Sequence, residues 1–495
     1  MLSGGVAAIF SPESRYDIAD SLNKVCRGIQ NRGETAIGMA TGKDGDLKSA
    51  IDIYTKSGKV RELLDNKDVR RHVNFGASYV SIGCLHKGKV EKNDIEPIEI
   101  RGNGYRFSIG IDGKVLDVHG YKQKFDAHSD AELIGKIIGK CYEKSNDIWT
   151  AVKEMMETLY DCAAYSAVML WNDKKETHGI AFQDPRGIKP LCYGKKDGMY
   201  IFSSQSTSLD LMEAELEDFT SPGGMYMFSK NMSKIEFQQL LPSKQTLCMF
   251  EYPYYHNPAG CLPGPNGPQY VLEVRNKLGR KLAVIDRERG KLKKENAIVT
   301  HIPDSGKGGG QGFSWESEIA LKEVLIKLPD ALRTFDMGLD EEIEREEEIK
   351  CKFYVVVENS RGKNTHVVDD SIVYGATSKV IINYHYRKVG KVRELYWKNT
   401  CAPKIAPCIT GFDDQRILIA EPYVGQDIEV ICQKVAEAIN ADSVTYPTVE
   451  DNIGCIGLAR NELCLGCITG EYPVPAAQEI WDKLKISRKK RYLST

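Results

Sequence analysis

Short apolar runs broken by polar turns dominate the first half of the chain. The opening run GGVAAIF (residues 4–10) gives way to polar SPESRYD, and TAIGMAT, RFSIGID, AYSAVMLW and GMYIFSS follow, separated by Gly- and Asp-rich turns. Such runs predict strands. NDIWTAVKEMMETLYD is different: Ile148, Val152, Met155, Met156 and Leu159 recur at helical spacing, which predicts a helix with one buried face. Strands grouped with helices that pack over them predict a layered α+β sandwich. From about residue 265 helix and strand alternate. YVLEVRNKLGRKLA reads as a helix, NAIVTHIPDSG as a strand and loop, and CKFYVVVE with THVVDDSIVYGATS as a strand pair leading to a helix start. This alternation predicts a parallel α/β sheet, whose ligands sit at the carboxyl ends of its strands. The Pro- and Gly-dense stretch YYHNPAGCLPGPNGPQY places the boundary near residues 240–265, giving expected domains of 1–240 and 241–495.

A chain of 495 residues is too long for one ordinary core, in keeping with two domains of roughly 200–250 residues. A net charge of −2 and 42% hydrophobic residues give no reason to expect a nucleic-acid or membrane partner. The basic stretches KLGRKLAVIDRERGKLKKEN and SRKKRYLST read as solvated helix faces and a frayed end. No apolar run approaches the roughly 20 residues of a membrane span, and the opening run lacks a basic leader, so a cytoplasmic protein is expected. Fourteen scattered cysteines disfavour a disulfide framework. Cys464 and Cys467, in CLGC, are spaced so that two thiolates can reach one metal centre, although a redox pair has the same spacing.

The most informative stretch is THVVDDSIVYGATSKVII. A buried strand would deliver Asp369 and Asp370, after which Gly375, Ala376, Thr377 and Ser378 open a helix. Amides at a helix N-terminus cradle a phosphate, hydroxyls add donors, and the two carboxylates suit ribose hydroxyls. The plainer reading is an Asp-rich turn that caps a helix. The stretch resembles the phosphoribosylpyrophosphate (PRPP) loop of type I phosphoribosyltransferases, and its wording resembles that of the amidophosphoribosyltransferase family, the glutamine PRPP amidotransferases. NRGETAIGM, HSDAELI, DPRGIKPLCYG, SSQSTSLD, IPDSG, LRTF, APKIAPC and CLGCITGEYP match the family in order.

That resemblance implies an α+β N-terminal four-layer sandwich of the N-terminal-nucleophile type, followed by an α/β type I phosphoribosyltransferase domain. It implies that Asp304, Ser305 and Gly306 hold the pyrophosphate with Mg²⁺ and that Lys350 and Lys352 neutralise it as it leaves. Ser371, together with Asp369, Asp370, Gly375, Thr377 and Ser378, would bind PRPP, and ammonia would be the acceptor. It also implies a homodimer or homotetramer. One branch of the family carries a 4Fe-4S cluster, and Cys248, Cys408, Cys464 and Cys467 stand at its four ligand positions. Four thiolates are what such a cluster needs. Its implied role here is structural.

Departures from the family concentrate in the glutaminase half. Gly4 stands where the terminal nucleophilic cysteine belongs, Ser78 precedes Tyr79 where an Arg would clamp the glutamine carboxylate, and Asp112 with Gly113 replaces the Asn-Gly of the oxyanion hole. An ionised Asp there would repel a developing oxyanion. Asp130, matching the acid that holds the substrate amine, survives, but a helix N-cap would look the same. Ser3 lies one residue out of register for a substitute nucleophile. In the transferase half Tyr374 replaces the usual Arg of the PRPP loop, and Tyr354-Val355 stands for Asn-Pro. Seven carboxylates run from Asp340 to Glu348, where Glu341 and Arg345 can pair at helical spacing. Glutaminase activity is therefore expected to be absent. Three readings remain: a transferase using ammonia, free or from a partner glutaminase; a pseudoenzyme that binds PRPP or a nucleotide, or partners an active paralogue; and a transferase with another acceptor.

Overall fold

The computed structural model describes residues 2–15, 17–64, 78–87, 91, 94–230, 234–328, 342–411 and 416–492. The LRTF stretch and the Glu341 end of the expected Glu341–Arg345 pair lie outside them, and the Ser3 side chain is likewise not described.

The first strand, Leu2–Arg15, shows how the N-terminal domain is built. Alternate side chains of a strand point to opposite faces. Val6, Ala8 and Phe10 enter a core shared with Val168, Leu170, Ala181 and Phe228, whereas Ala7 and Ile9 meet Leu22 and Val25 of the helix Ile18–Gly28 and Ile29 just after it. The strand lies inside a seven-stranded sheet, antiparallel to Met199–Ser203 on one side and Ser78–Lys87 on the other. A six-stranded sheet, with Tyr105–Val115 and Ala163–Asn172 adjacent, packs against its inner face. The helices Asp130–Ser145 and Ile148–Thr158 cover the second sheet with Ile134, Ile138, Val152, Met155 and Met156. The layers thus run helix, sheet, sheet, helix. Fully burying such a side chain contributes about 1.5–3 kcal/mol. The second helix starts where Asp147 accepts a hydrogen bond from the Thr150 amide at 2.9 Å.

The C-terminal half is organised around a four-stranded parallel sheet in the order Ala297–His301, Asn364–Asp369, Glu394–Asn399, Ser443–Thr445. The helices Val271–Glu288, Lys307–Ser317 and Ile428–Ile439 accompany it. One expected pairing is different. Only Phe353–Val355 of CKFYVVVE is extended, and it pairs antiparallel with Leu325–Lys327 rather than lying beside Asn364–Asp369. A short helical turn, Val357–Ser360, and a left-handed Gly362 reverse the chain between the two strands. Among the described residues no helix is long and apolar enough to cross a membrane.

Inside this domain a salt bridge ties helix to sheet. Lys398 Nζ lies 2.6 Å from Asp286, with both side chains fully buried, and Thr445 Oγ1 donates to Asp286 at 2.7 Å. Removing one member of a buried pair leaves the other charge uncompensated, at a cost of about 3–5 kcal/mol. Lys398→Met should therefore lower the urea midpoint sharply, and adding Asp286→Leu should recover much of the loss. Unchanged unfolding of the single variant would show that the pair does not hold the domain together.

Candidate functional site

Two pockets and one cysteine cluster contain the residues singled out above. In the N-terminal domain the register of the first strand shifts between Leu2 and Gly5, so Gly4 lies at an irregularity in the sheet. A β-carbon on Gly4 would fall 1.6 Å from the Leu85 carbonyl oxygen. No side chain fits there unless the neighbouring strand moves.

Beside Gly4 lies a closed group of charges. Arg32 Nε donates to the Gly4 carbonyl at 3.1 Å, Nη1 to Glu251 at 2.9 Å, and Nη2 to Asp112 at 2.8 Å and to Glu251 at 3.0 Å. Asp112 also accepts from Ser204 Oγ at 3.3 Å, which itself accepts from the Val6 amide at 3.0 Å. Lys189 Nζ stands 3.9 Å from Asp112, and His256 Nδ1 is 3.7 Å from Glu251. All six of these side chains are buried. Burial pushes the Glu251 carboxyl up, but Arg32 and His256 outweigh it and hold the group well below the usual carboxylate range. Burial likewise opposes the Arg32 charge, and Asp112 and Glu251 more than restore it. The position matching the oxyanion hole is thus occupied by a carboxylate bound to a guanidinium. An ionised carboxylate offers only acceptors.

The other glutaminase positions are likewise engaged. Ser78 is buried and pairs with Arg15 in the sheet. Tyr79 Oη lies 2.6 Å from both Asp44 Oδ1 and the Thr177 carbonyl. Gly113 faces Tyr165 across the second sheet. Asp130 is not the helix cap: Ser129 accepts from the Glu132 amide at 3.1 Å, while Asp130 accepts from the Val115 amide at 3.2 Å and pairs with Lys122 at 2.7 Å. A hydroxyl reaches back to the third amide of the helix more readily than the carboxylate one residue later.

The four cysteines come together at the junction of the two halves. Cys248 and Cys464 are directly opposite in a two-residue parallel ladder, and the Cys467 carbonyl accepts from the Ile405 amide at 3.0 Å and the Ala406 amide at 3.1 Å, bringing in the segment that carries Cys408. The Cys248 amide donates to the Ile188 carbonyl at 3.0 Å, which fixes the group to the N-terminal domain. None of the four is in a disulfide. Burial, then the charges of neighbouring cysteines, push Cys248 and Cys467 well up and Cys464 to about 12. A donor set of four thiols brought to one junction fits an iron–sulfur cluster.

In the transferase domain the strand Asn364–Asp369 ends on the two carboxylates, both buried. Ser305 Oγ donates to Asp369 at 2.9 Å, and Ser371 Oγ donates to Asp370 at 2.8 Å. Burial first, and then the adjacent Asp370, push Asp369 well above its usual range. Gly375, with φ of 80°, starts the helix Ala376–Val380, which continues as a π-helix through Val389. Only glycine takes that backbone readily, and a β-carbon there would also meet Ile419 at 2.4 Å. Thr377 and buried Ser378 lie in the first turn, and Gly306 caps the helix Lys307–Ser317 opposite. Asp304 is exposed and 3.4 Å from Lys327. Lys350 pairs with Glu347 at 2.7 Å and Glu346 at 3.0 Å, contacts that push it up to about 12, while Lys352 lies 5.5 Å over the Phe353 ring. The Arg416 guanidinium stacks 3.7 Å from the Tyr374 ring.

A four-layer sandwich of the N-terminal-nucleophile type joined to a type I phosphoribosyltransferase domain defines the class as that of the PRPP amidotransferases. A family profile described as "Glutamine amidotransferase domain" matches residues 103–211. Amidophosphoribosyltransferase of Methanocaldococcus jannaschii is 30% identical, covering 95% of this chain and 97% of the relative, and that of Methanothermobacter thermautotrophicus is 27% identical, covering 96% and 95%. The structure of the glutamine PRPP amidotransferase of Bacillus subtilis, complexed with ADP and GMP, superposes with a TM-score of 0.79 at 22% identity over 95% of this chain and 99% of the other. The chain belongs to the amidophosphoribosyltransferase family.

Sequence reasoning missed Arg32, Lys189, Glu251 and Glu96. The last is buried, with Oε2 accepting from the Ile111 amide at 2.6 Å. Burial pushes Glu96 from 4.5 up to about 8, against that amide and with help from Asp130 and Asp112. The folded state therefore keeps a proton that the unfolded chain releases, so stability falls as pH rises from about 4.5 to about 8 and is level above that. The slope reaches about 1.4 kcal/mol per pH unit. Glu96→Gln should flatten this decline between pH 5 and 8.5 in melting experiments; equal slopes in variant and parent would remove Glu96 as its source.

Proposed function

We propose that this chain is an ammonia-dependent amidophosphoribosyltransferase of the purine-biosynthesis type whose N-terminal domain no longer hydrolyses glutamine. The observation that carries this reading is the contrast between the two pockets. Gly4 offers no nucleophile and no room for one, and Asp112 is bonded to Arg32, whereas the PRPP loop keeps its acids, hydroxyls and left-handed glycine.

In the transferase reaction the lone pair of ammonia forms a bond to C1 of the ribose while the bond from C1 to the pyrophosphate oxygen breaks. The ammonium formed then loses a proton, giving 5-phosphoribosylamine and pyrophosphate. The task is one of positioning and charge neutralisation, without a protein nucleophile. Asp369 and Asp370 would take the ribose hydroxyls, and Ser371, Thr377, Ser378 and the amides after Gly375 the 5-phosphate. Asp304, Ser305, Gly306, Lys350 and Lys352 would hold the pyrophosphate end. Magnesium bound with PRPP would supply positive charge there, and oxygen donors of this kind suit it. Arg416, stacked on Tyr374, returns to the phosphate loop the guanidinium that the loop itself lacks. Cys248, Cys408, Cys464 and Cys467 would hold a 4Fe-4S cluster that serves the junction as a structural tie. Homo-oligomerisation, and ammonia from a separate glutaminase, complete the proposal.

The pairing of Lys350 with Glu346 and Glu347 favours a second reading, a PRPP- or nucleotide-binding pseudoenzyme that works through a partner. Pyrophosphate release from PRPP and Mg²⁺ with ammonium, with glutamine, or with neither separates the two. Ammonium-dependent release is expected, lowered at least about 100-fold by Asp370→Asn and with a PRPP KM raised about tenfold by Arg416→Ala. Binding without turnover would leave the pseudoenzyme reading standing instead.

The lost glutaminase should also resist simple repair. Gly4→Cys, in a chain trimmed to start at that position, is expected to release glutamate only at background rate, because Leu85 and Asp112 still obstruct the pocket. Recovery of glutaminase activity by this one change would show that only the nucleophile had been lost.

A further inference from the structure

Away from both pockets, three side chains bring an imidazole, a carboxylate and a thiol to one point. His119 follows the strand Tyr105–Val115, and Asp161 and Cys162 immediately precede Ala163–Asn172. The two segments are fastened together: the Leu116 amide donates to the Cys162 carbonyl, and the Val118 amide to the Leu116 carbonyl, each at 2.7 Å. One donor atom from each of His119, Asp161 and Cys162 lies within 4.8 Å of the other two, and His119 Nε2 is 3.2 Å from Asp161 Oδ2. A tetrahedral ion with bonds of about 2.0–2.3 Å sets its ligands about 3.3–3.7 Å apart. The three donors need to move by no more than about 1 Å to meet that spacing.

The mixed nitrogen, oxygen and sulfur set suits zinc-class ions, whereas magnesium and calcium take oxygen. Cys162 is buried while His119 and Asp161 are 42% and 48% exposed, so the thiol anchors the group and the open side leaves a fourth position for water.

We propose that His119, Asp161 and Cys162 bind one zinc-class divalent cation, distinct from the four-cysteine group. Binding forms a metal–sulfur bond and releases the thiol proton to water. The loop that carries two of the ligands also anchors the C-terminal segment. The Asp161 carbonyl accepts from the Ala476 amide at 3.0 Å, and Arg186 donates to the carbonyls of Tyr160 and, at 2.8 Å, Pro473. Occupancy would therefore fasten the start of the helix Pro475–Tyr492 to the N-terminal domain.

The test is titration of the full-length protein, its iron content already measured, with zinc chloride in a chelator-buffered solution, followed by metal analysis and melting. About one zinc per chain beyond the cluster metal is expected, with a submicromolar Kd and a rise in melting temperature. His119→Ala, a change at an exposed side chain, should weaken that binding at least tenfold and abolish the rise. Cys162→Ala should do the same, and Cys351→Ser, a change at an exposed thiol outside both groups, should keep the zinc. Equal zinc binding by His119→Ala and the parent, no zinc uptake by the parent, or loss of the zinc in Cys351→Ser would each overturn the proposal.

Discussion

The guanidinium of Arg32 is the interaction on which the N-terminal half and its junction depend. It reaches three elements at once: the backbone of the first strand at Gly4, the strand carrying Asp112, and Glu251 beyond the sandwich. A buried arginine costs several kcal/mol in lost hydration unless its donors are met, and here two carboxylates and a carbonyl meet them. The Asp112 carboxylate is therefore one of the groups that let the arginine stay buried.

The parts of this arrangement visible in the sequence are the local ones. The period-two alternation of Val6, Ala8 and Phe10 against Ala7 and Ile9 foretells a strand buried on both faces, and the helical spacing from Ile148 to Met156 foretells its helix. Asp369, Asp370 and Gly375 are contiguous, so their joint meaning can be read before any fold is known. Arg32, Glu251 and Lys189 carry no such signal, because their partners are hundreds of residues away or on another sheet. The same holds for Arg416, which meets Tyr374 only after an intervening helix, strand and loop. The short strand at Phe353–Val355 was misplaced for a related reason: apolar composition marks it as extended but does not say which neighbour it pairs with.

Charge in the transferase pocket has been redistributed. The loop position held by an arginine in the family is aromatic here, yet an aromatic face attracts a cation with about 0.5–2 kcal/mol, and Arg416 occupies that face. Lys350, by contrast, is drawn toward two glutamates of its own helix. Exposed pairs of this kind are weak, because solvent screens them. A pyrophosphate with several negative charges would outcompete them. The acidic run thus tempers the site without closing it, and this balance of magnitudes is why the transferase reading stands ahead of the pseudoenzyme reading.

The N-terminal domain has a structural role whatever its chemistry. Cys248 and Glu251 lie three residues apart in one segment: the first belongs to the cysteine group and holds the Ile188 carbonyl, and the second belongs to the Arg32 cluster. Lys189, next to Ile188, faces Asp112. The cysteine group and the charged cluster are therefore two ends of one continuous support between the domains. A chain that discarded the sandwich would expose Glu251 and the edge of the Cys248 ladder together. The charged cluster around Arg32 then has a structural reason to persist, because it is part of the surface on which the transferase half is seated.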